Sequence, residues 1–388
     1  MTHSKWLPLA GLLALGLAAP ADAAGVTADQ IVIGSDFDLS GPASANQALM
    51  RDGTQMRFDE ANEAGGINGR KIKFMVEDNG SQPQMAVRAV NKLIKDDQVF
   101  AIVNAFGSGP NAATVKRIVS AGVIDFAPWA ASAVLHKIAG PTPLLFTTIP
   151  NYDTTTAAAL GWMIDHFHIQ RVGYIYQEGP LGDLVRAGVD QALKQRGLKL
   201  AAEAGYKVGD IDFSSQVARM KAADVQLIMT ATLLREIVGV AREVKKIGWD
   251  VKILTAAPSR NGASVKIGKN LMEGIYGIGS WSATPPEMGP PASRKWAADF
   301  KRRFNNQEPD ENALLAYAYA DWLVRGIAAA GKDLTTDSAV AGLQKSTEDN
   351  VIFFQPLHFK DGHATPELVR VEQVKNGDWQ AVSPSLIK

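Results

Sequence analysis

Strand-like and helix-like segments alternate through most of this chain, in two successive series. The predicted strands of the first series are Ile31–Phe37, Lys71–Glu77, Val99–Asn104 and Val123–Ala127. Those of the second series are Arg171–Tyr176, Leu200–Lys207, Val225–Met229 and Val251–Leu254. Within each series a helix-like segment separates one strand from the next, and such β-α-β units predict an α/β fold with two parallel-sheet lobes. Because parallel sheets bind ligands at the carboxyl ends of their strands, we expect the site residues in the loops that follow the strands.

Residues 1–23 have the pattern of a cleavable secretory signal peptide. Met1–Lys5 is a short cationic start, Leu7–Ala19 is an apolar run too short to span a bilayer, and Ala21-Asp22-Ala23 resembles a cleavage site. A buried N-terminal helix is the alternative, and the prolines at Pro8 and Pro20 disfavour it. We therefore predict that the chain is exported and that the mature form begins near Ala24.

Composition excludes several classes of protein. The chain of 388 residues has no cysteine, which excludes disulfides, thiolate metal sites and lipid attachment through an N-terminal cysteine. It has 40 basic and 40 acidic residues, and this neutrality argues against a nucleic-acid or anionic-membrane partner. The length is enough for about two domains held by their own cores.

No motif in the sequence requires catalysis or a cofactor. Residues 107–112 match G-x-G-x-x-A after a strand, but this strand is the third of its lobe and the nearest downstream acid, Asp125, lies inside a strand. The pair His166 and His168 lacks a third metal ligand at suitable spacing. We expect no cofactor, no metal and no enzyme; a nucleophile next to a base in the cleft would reopen the possibility of an exported hydrolase.

Several stretches together resemble one protein family. They are Ile31–Gly34 with Leu39–Pro42, Asp59–Arg70, Glu77–Asp78 with Pro83–Ala86, Val103–Ala113, Pro128–Leu135, Tyr174–Gly188 and Phe213–Lys221. The chain is similar to the branched-chain amino-acid-binding family, the type I periplasmic solute-binding proteins of ABC importers. The resemblance implies two Rossmann-like lobes that close on a ligand, a single-chain monomer, and an inner-membrane ABC permease complex as partner.

The resemblance also implies how the chain is divided between the lobes. Lobe 1 would comprise residues 24–148 and 278–354, and lobe 2 residues 149–277 and 355–388. Three crossover segments would join them, near Thr148–Tyr152, Ile275–Ser280 and Phe354–Leu357.

Three residues match positions that hold the ligand in the family. Ser108 stands where a serine binds the ligand carboxylate; the alternative is that it only caps a helix beginning at Pro110. In the next loop, Ala130, or Ala131 if the alignment shifts by one, would offer backbone groups and Ser132 a hydroxyl. Small residues at the start of a helix expose N–H groups to an anion.

Other positions depart from the family. Asn46, Leu181 and either Leu233 or Leu234 stand at positions of cleft tyrosines in the family. Pro258 stands at or beside the acid that neutralises an amino acid's ammonium group. Three aromatic residues, Phe106, Trp129 and Tyr152, lie in or beside the aligned cleft loops.

These departures predict a carboxylate ligand with an aromatic or hydrophobic body. An ammonium group buried without a countercharge is costly, so an α-amino acid is disfavoured. The alternative is a branched-chain or other hydrophobic amino acid, for which Glu178 or Glu236 would replace the missing acid. A further alternative is a ligand-sensing module that serves a receptor.

Overall fold

A computed structural model of the chain describes Met1 and residues 23–130 and 132–386, so most of the predicted signal peptide lies outside the described residues. The first unit contains, in chain order, β1 (Gln30–Phe37), α1 (Ser44–Glu63), β2 (Lys71–Asp78), α2 (Pro83–Lys95), β3 (Ala101–Val103), α3 (Ser108–Ser120), β4 (Ile124–Phe126), α4 (Ser132–Ala139) and β5 (Leu145–Phe146). Its strands form a parallel sheet in the order β2-β1-β3-β4-β5.

The second unit repeats this arrangement. Its elements are α5 (Tyr152–Phe167), β6 (Val172–Gln177), α6 (Pro180–Lys194), β7 (Leu200–Tyr206), α7 (Ser214–Ala222), β8 (Leu227–Ala231), α8 (Leu234–Lys246), β9 (Lys252–Thr255), α9 (Gly262–Gly268) and β10 (Tyr276–Gly279). The parallel strands have the order β7-β6-β8-β9-β10, which matches the order of the first sheet. In both sheets the direction of strand addition reverses beside the first strand, and ligands bind at such a point.

The last part of the chain returns to the first unit and then rejoins the second. It comprises α10 (Pro291–Arg303), α11 (Glu311–Ala329), α12 (Thr336–Lys345), β11 (Thr347–Glu348), β12 (Leu357–Lys360), β13 (His363–Thr365), β14 (Arg370–Lys375) and β15 (Asp378–Ala381). Helix α11 packs along α1, and β14 pairs antiparallel with β10. No helix in the described part of the chain is both long and apolar enough to cross a membrane.

Strand β1 is apolar on both faces because helices cover both sides of its sheet. Ile31 and Ile33 belong to the large cluster that contains residues of α1 and α11, whereas Val32 packs in a second cluster with Val90 of α2 and Ile118 of α3. A parallel sheet with helices on both faces buries both sides of its strands. The strands of the two predicted series all occur, with bounds that differ by a few residues.

The contacts of β12 and β13 bear on where the last crossover lies. Phe359 stacks on Trp322 of α11 at 4.1 Å and packs against Phe146 of β5 at 4.9 Å. Thr147 and His363 form an isolated parallel bridge. The lobe limits remain a prediction, and these contacts favour placing the last crossover at residues 366–369 instead of Phe354–Leu357.

Candidate binding cleft

A cavity of about 300 Å³ lies between the two units. Its wall comprises residues that follow strands of both sheets, together with Tyr152 at the start of α5: Ser81, Pro83, Phe106, Gly107, Ser108, Gly109, Pro110, Trp129, Tyr152, Gln177, Glu178, Gly179, Pro180, Leu181, Val208, Leu233 and Pro258. The cavity therefore occupies the position expected from the strand order, at the carboxyl ends of the strands.

Helix starts are concentrated in this wall. Of the described helices, α2, α3, α5 and α6 begin at residues that line the cavity, and the N-cap residue of α8 lines it too. The N-caps of α3 and α6 are Gly107 and Gly179, with φ angles of 100° and 102°, a conformation that glycine adopts without strain. Each helix start carries partial positive charge, so the wall favours an anion.

The loops after β3 and β4 are held together beside the cavity. The Gly107 N–H donates to the Trp129 carbonyl at 3.0 Å, and the Trp129 N–H donates to the Ala105 carbonyl at 2.7 Å. Asn79 Nδ2 donates to the Phe106 carbonyl at 2.9 Å. These bonds fix the start of α3 before any ligand binds, and a preorganised site loses less free energy on binding.

Eight of the ten predicted site residues surround the cleft. Phe106, Ser108, Trp129, Tyr152, Leu181 and Pro258 line the main cavity, whereas Asn46 and Leu234 line a smaller chamber that adjoins it. Helix α3 begins at Ser108 and its N-cap is Gly107, two residues before the predicted start at Pro110, and the ligand role of Ser108 stays a prediction.

Ala130 and Ser132 do not fit their predicted place. Neither residue lines either cavity. The Ala130 N–H donates to the Pro128 carbonyl at 3.0 Å, and Ala130 is fully buried with Leu135 of α4. The Ser132 hydroxyl donates to the Ile149 carbonyl and so fixes the first crossover. Both residues support the loop instead of presenting groups to the cleft. Ala131, the predicted alternative to Ala130, lies outside the residues that the structure describes.

The charge in the wall is unusual for a site that favours anions. No lysine, arginine or histidine is among the described residues lining either cavity, and Glu178 is the charged residue there. Glu236 lies off the cavity on α8, where burial raises the pKa of its carboxyl. Burial also raises the pKa of Tyr152, so its phenol keeps the proton that it can donate to an anion.

Sequence reasoning missed several wall residues. Ser81 follows β2, Gln177 is the last residue of β6, and Val208 follows β7. Leu233, the predicted alternative to Leu234, follows β8 and lines both cavities. Their position directly after predicted strands was the available signal. Ser81 is held by its hydroxyl, which donates to Asp38 Oδ2 at 2.6 Å.

A smaller chamber of about 30 Å³ adjoins the main cavity and shares Phe106, Trp129, Leu233 and Pro258 with it. The remaining lining residues are Ala43, Asn46, Gln47, Leu234, Ala257, Asn261, Trp281 and Asn312. Trp129 meets Trp281 edge to face, with ring centroids 5.8 Å apart. Gln47 and Trp281 were also missed, because they come from α1 and from the segment after β10.

The sequence profile of the periplasmic binding protein family matches residues 30–378. The chain belongs to this family. This periplasmic binding protein is 24% identical over 347 residues to the Leu/Ile/Val-binding protein homolog 1 of Brucella suis, a match that covers 89% of this chain and 88% of the relative.

Two solved structures share its fold. One is a fatty acid ABC transporter substrate-binding protein from Thermomonospora curvata, with a TM-score of 0.83, 23% identity and 95% of each chain covered. The other is a solute-binding protein of an ABC transporter from R. palustris in complex with benzoate, with a TM-score of 0.79, 15% identity and coverage of 92% of this chain and 98% of that one.

These matches confirm the predicted fold class, an α/β protein with the two Rossmann-like lobes of type I periplasmic binding proteins. The chain is a periplasmic binding protein, the class that its family profile describes. Its family consists of binding proteins and not of enzymes.

Proposed function

We propose that this protein captures a small carboxylate with an aromatic or other hydrophobic body and delivers it to an inner-membrane ABC permease. The observation that carries the proposal is the cleft wall, which combines several helix starts with aromatic and aliphatic side chains. The helix starts favour the carboxylate, and the apolar side chains favour a ligand body that also leaves water.

The size of the cavity supports a compact ligand. At about 300 Å³ it is at the lower end of the range for small-molecule sites, which suits a single ring or a short branched chain. Phe106, Trp129 and Leu181 are buried in its wall and offer apolar contact. The benzoate that accompanies one structural neighbour is a ligand of this kind.

A hydrophobic amino acid is the second candidate, and one observation favours it. Glu178 lies in the wall at the start of the turn into α6, where its carboxylate can pair with an ammonium group. The curated relative from Brucella suis carries the name of a Leu/Ile/Val-binding protein. Against it, Glu178 is solvent-exposed, and an exposed ion pair contributes only about 0–1 kcal/mol.

Calorimetric titration of matched pairs at one pH separates the two candidates. Phenylpropionate is compared with phenylalanine, and isovalerate with leucine. We expect each acid to bind at least tenfold more tightly than its amino acid, a difference of about 1.4 kcal/mol. A tenfold preference for the amino acids would instead establish the second candidate.

Glu178→Gln adds an internal check. If the ligand is an acid, this substitution should strengthen binding because it removes a like charge from the wall. If the ligand is an amino acid paired with Glu178, the same substitution should weaken binding.

The remaining features of the proposal follow from the sequence and the family. Residues 1–23 would direct export and be removed, and the mature chain would act in the periplasm as a monomer. Mass spectrometry of the protein purified from the periplasm should give a mature chain that begins at Ala24.

A further inference from the structure

We propose that the chamber behind Phe106 and Trp129 binds a hydroxyl group of the ligand, so that the protein selects hydroxylated aromatic acids. The inference rests on the proposed function, because the chamber adjoins the cavity that would hold the acid. Both share Phe106, Trp129, Leu233 and Pro258 as walls. A ring substituent directed at these shared walls would enter the chamber.

The volume of the chamber restricts what enters it. It measures about 30 Å³, against about 300 Å³ for the main cavity. It therefore admits a small substituent, such as a hydroxyl group, and not the body of the ligand.

Two residues that line the chamber each carry a buried polar atom without a hydrogen-bond partner. Gln47 is fully buried, and its Nε2 donates to Asn46 Oδ1 at 2.9 Å, but its Oε1 has no hydrogen-bond partner among the described residues. Trp281 is 3% exposed, and its Nε1 likewise has no partner in the described part of the chain. Gln47 thus offers an acceptor and Trp281 offers a donor.

A hydroxyl group matches this pair because it donates one hydrogen bond and accepts others. A methyl group or a bare ring edge would leave both atoms unsatisfied, which is costly in a buried site. A site built to bond a hydroxyl therefore discriminates against the analogue that lacks it.

The other buried polar side chains of the chamber, those of Asn261 and Asn312, are already engaged. Asn261 Oδ1 accepts the Ser264 N–H at 2.8 Å, and its Nδ2 donates to the Pro258 carbonyl at 3.0 Å. Asn312 Nδ2 donates to Asp310 Oδ2 at 3.3 Å. Gln47 and Trp281 are therefore the residues that we assign to hydroxyl recognition.

Titration of unsubstituted and hydroxylated acids tests this assignment. Cinnamate and benzoate are each compared with their ortho-, meta- and para-hydroxy derivatives, on the full mature chain. We expect at least one isomer of one series to bind roughly tenfold more tightly than its parent acid, the size of one or two net hydrogen bonds.

Variants locate the effect. Trp281→Phe removes the indole N–H and Gln47→Met replaces the amide by an apolar chain of similar length, and each should reduce the preference for the hydroxylated acid to within about threefold. Trp296→Phe is the matched control, because Trp296 on α10 is also buried with an unpartnered Nε1 but lines neither cavity. It should keep the full preference.

The outcomes are distinguishable. If parent and hydroxylated acids bind equally to the unaltered protein, or if both chamber variants retain the preference, the chamber does not select a hydroxyl, whereas the proposed function stands. If no acid binds, the proposed function fails and the inference fails with it. Should Trp281→Phe not fold, Gln47→Met decides the question alone.

Discussion

Two carboxyl groups lie buried beneath the cleft loops. Asp36 on β1 is 2% exposed and Asp125 on β4 is fully buried. Burial is the main cause that raises the pKa of Asp36 to about 8 and that of Asp125 to about 7. Asn79 donates to Asp36 Oδ2 and also to the Phe106 carbonyl, so the first of these carboxyls is linked to the cleft. Both carboxyls hold a proton in part of the pH range where an exposed aspartate has lost it.

Asp125→Asn should stabilise the protein, and more so at higher pH. The pKa of Asp125 is raised from 3.8 to about 7, so between these values the folded state holds a proton that the unfolded state releases. The native aspartate therefore costs stability progressively as pH rises from about 4 to about 7. The gain from the substitution, measured by urea unfolding, should be on the order of 1–3 kcal/mol larger at pH 8 than at pH 5.

Asp333→Asn, at an exposed carboxylate, is the control for loss of a charge. It should give a much smaller difference between the two pH values. A gain at Asp125 that is the same at pH 5 and pH 8 would show that its carboxyl is already ionised in the folded protein.

At the scale of residues, the sequence predicted those cleft residues that come shortly after a strand. Phe106, Ser108 and Leu181 follow strands, and the strand order alone brings such positions to one cavity. Ser132 was misplaced because its partner, the Ile149 carbonyl, lies 17 residues away along the chain. Trp281 was missed for the same kind of reason, since no local pattern places it against Trp129.

At the scale of elements, a polar network ties the segment before α5 to β13 and the segment after it. Thr147 Oγ1 lies 2.9 Å from His136 Nε2 and 2.7 Å from His363 Nδ1. Glu367 Oε1 lies 2.6 Å from His363 Nε2 and accepts the Asn151 N–H at 2.7 Å. Glu367 therefore connects the segment after β13 with the segment before α5.

Glu367→Gln should destabilise the protein near neutral pH and less so in acid. Burial raises the pKa of Glu367, but the hydrogen bonds from His363 and from the Asn151 N–H outweigh it, so the pKa lies below the ordinary 4.5. Because the pKa of Glu367 is lower in the folded than in the unfolded protein, its carboxylate stabilises the fold above about pH 4.5. This stabilisation is lost as the pH falls through the pKa of the folded state. The loss at pH 7 should be about 1–3 kcal/mol, from hydrogen bonds to a charged group.

Thermal and urea unfolding at pH 7 and at pH 4 measure this difference, with Glu287→Gln at an exposed position as the control. An equal loss at both pH values would mean that the carboxylate charge contributes nothing, and that only the shape of the side chain matters.

The sequence predicted the helices and strands whose apolar and polar residues alternate regularly, and it missed elements without such a pattern. Helix α5 was not predicted, because residues such as Ala157, Leu160 and Gly161 leave it buried on most sides and without a polar face. The packing of β12 on Trp322 and Phe146 could not be predicted, because it depends on contacts between residues far apart in the sequence.

At the scale of the whole molecule, the two units meet around the cleft. Helices α3 and α6 of opposite units are in contact beside the main cavity. Beyond the smaller chamber, Glu311 at the start of α11 accepts the Gly262 N–H at the start of α9, at 2.5 Å. Glu311 is 1% exposed, and burial, followed by the neighbouring Asp310, raises its pKa to about 8. The two units are therefore in contact beside both cavities, which the strand pattern alone did not reveal.

Closure predicts a change of shape when ligand binds. Two units that share a site and are joined by crossover segments open by hinge motion when the site is empty. Small-angle scattering should therefore give a smaller radius of gyration with a saturating acid than without it. An unchanged profile, with binding confirmed by calorimetry, would mean that the units do not move.

Glu311→Ala tests whether the contact with Gly262 stabilises the closed form. Loss of this hydrogen bond should weaken the binding of every ligand by the same factor, about threefold to tenfold. The factor is the same because the bond stabilises the closed form and does not contact the ligand. Glu311→Gln is the matched control: it keeps an acceptor oxygen and resembles the protonated carboxyl that the raised pKa favours at pH 7. If Glu311→Ala changed affinity for one acid and not for another, Glu311 would act on the ligand itself, since a change in closure alone leaves the ratio of two affinities unaltered.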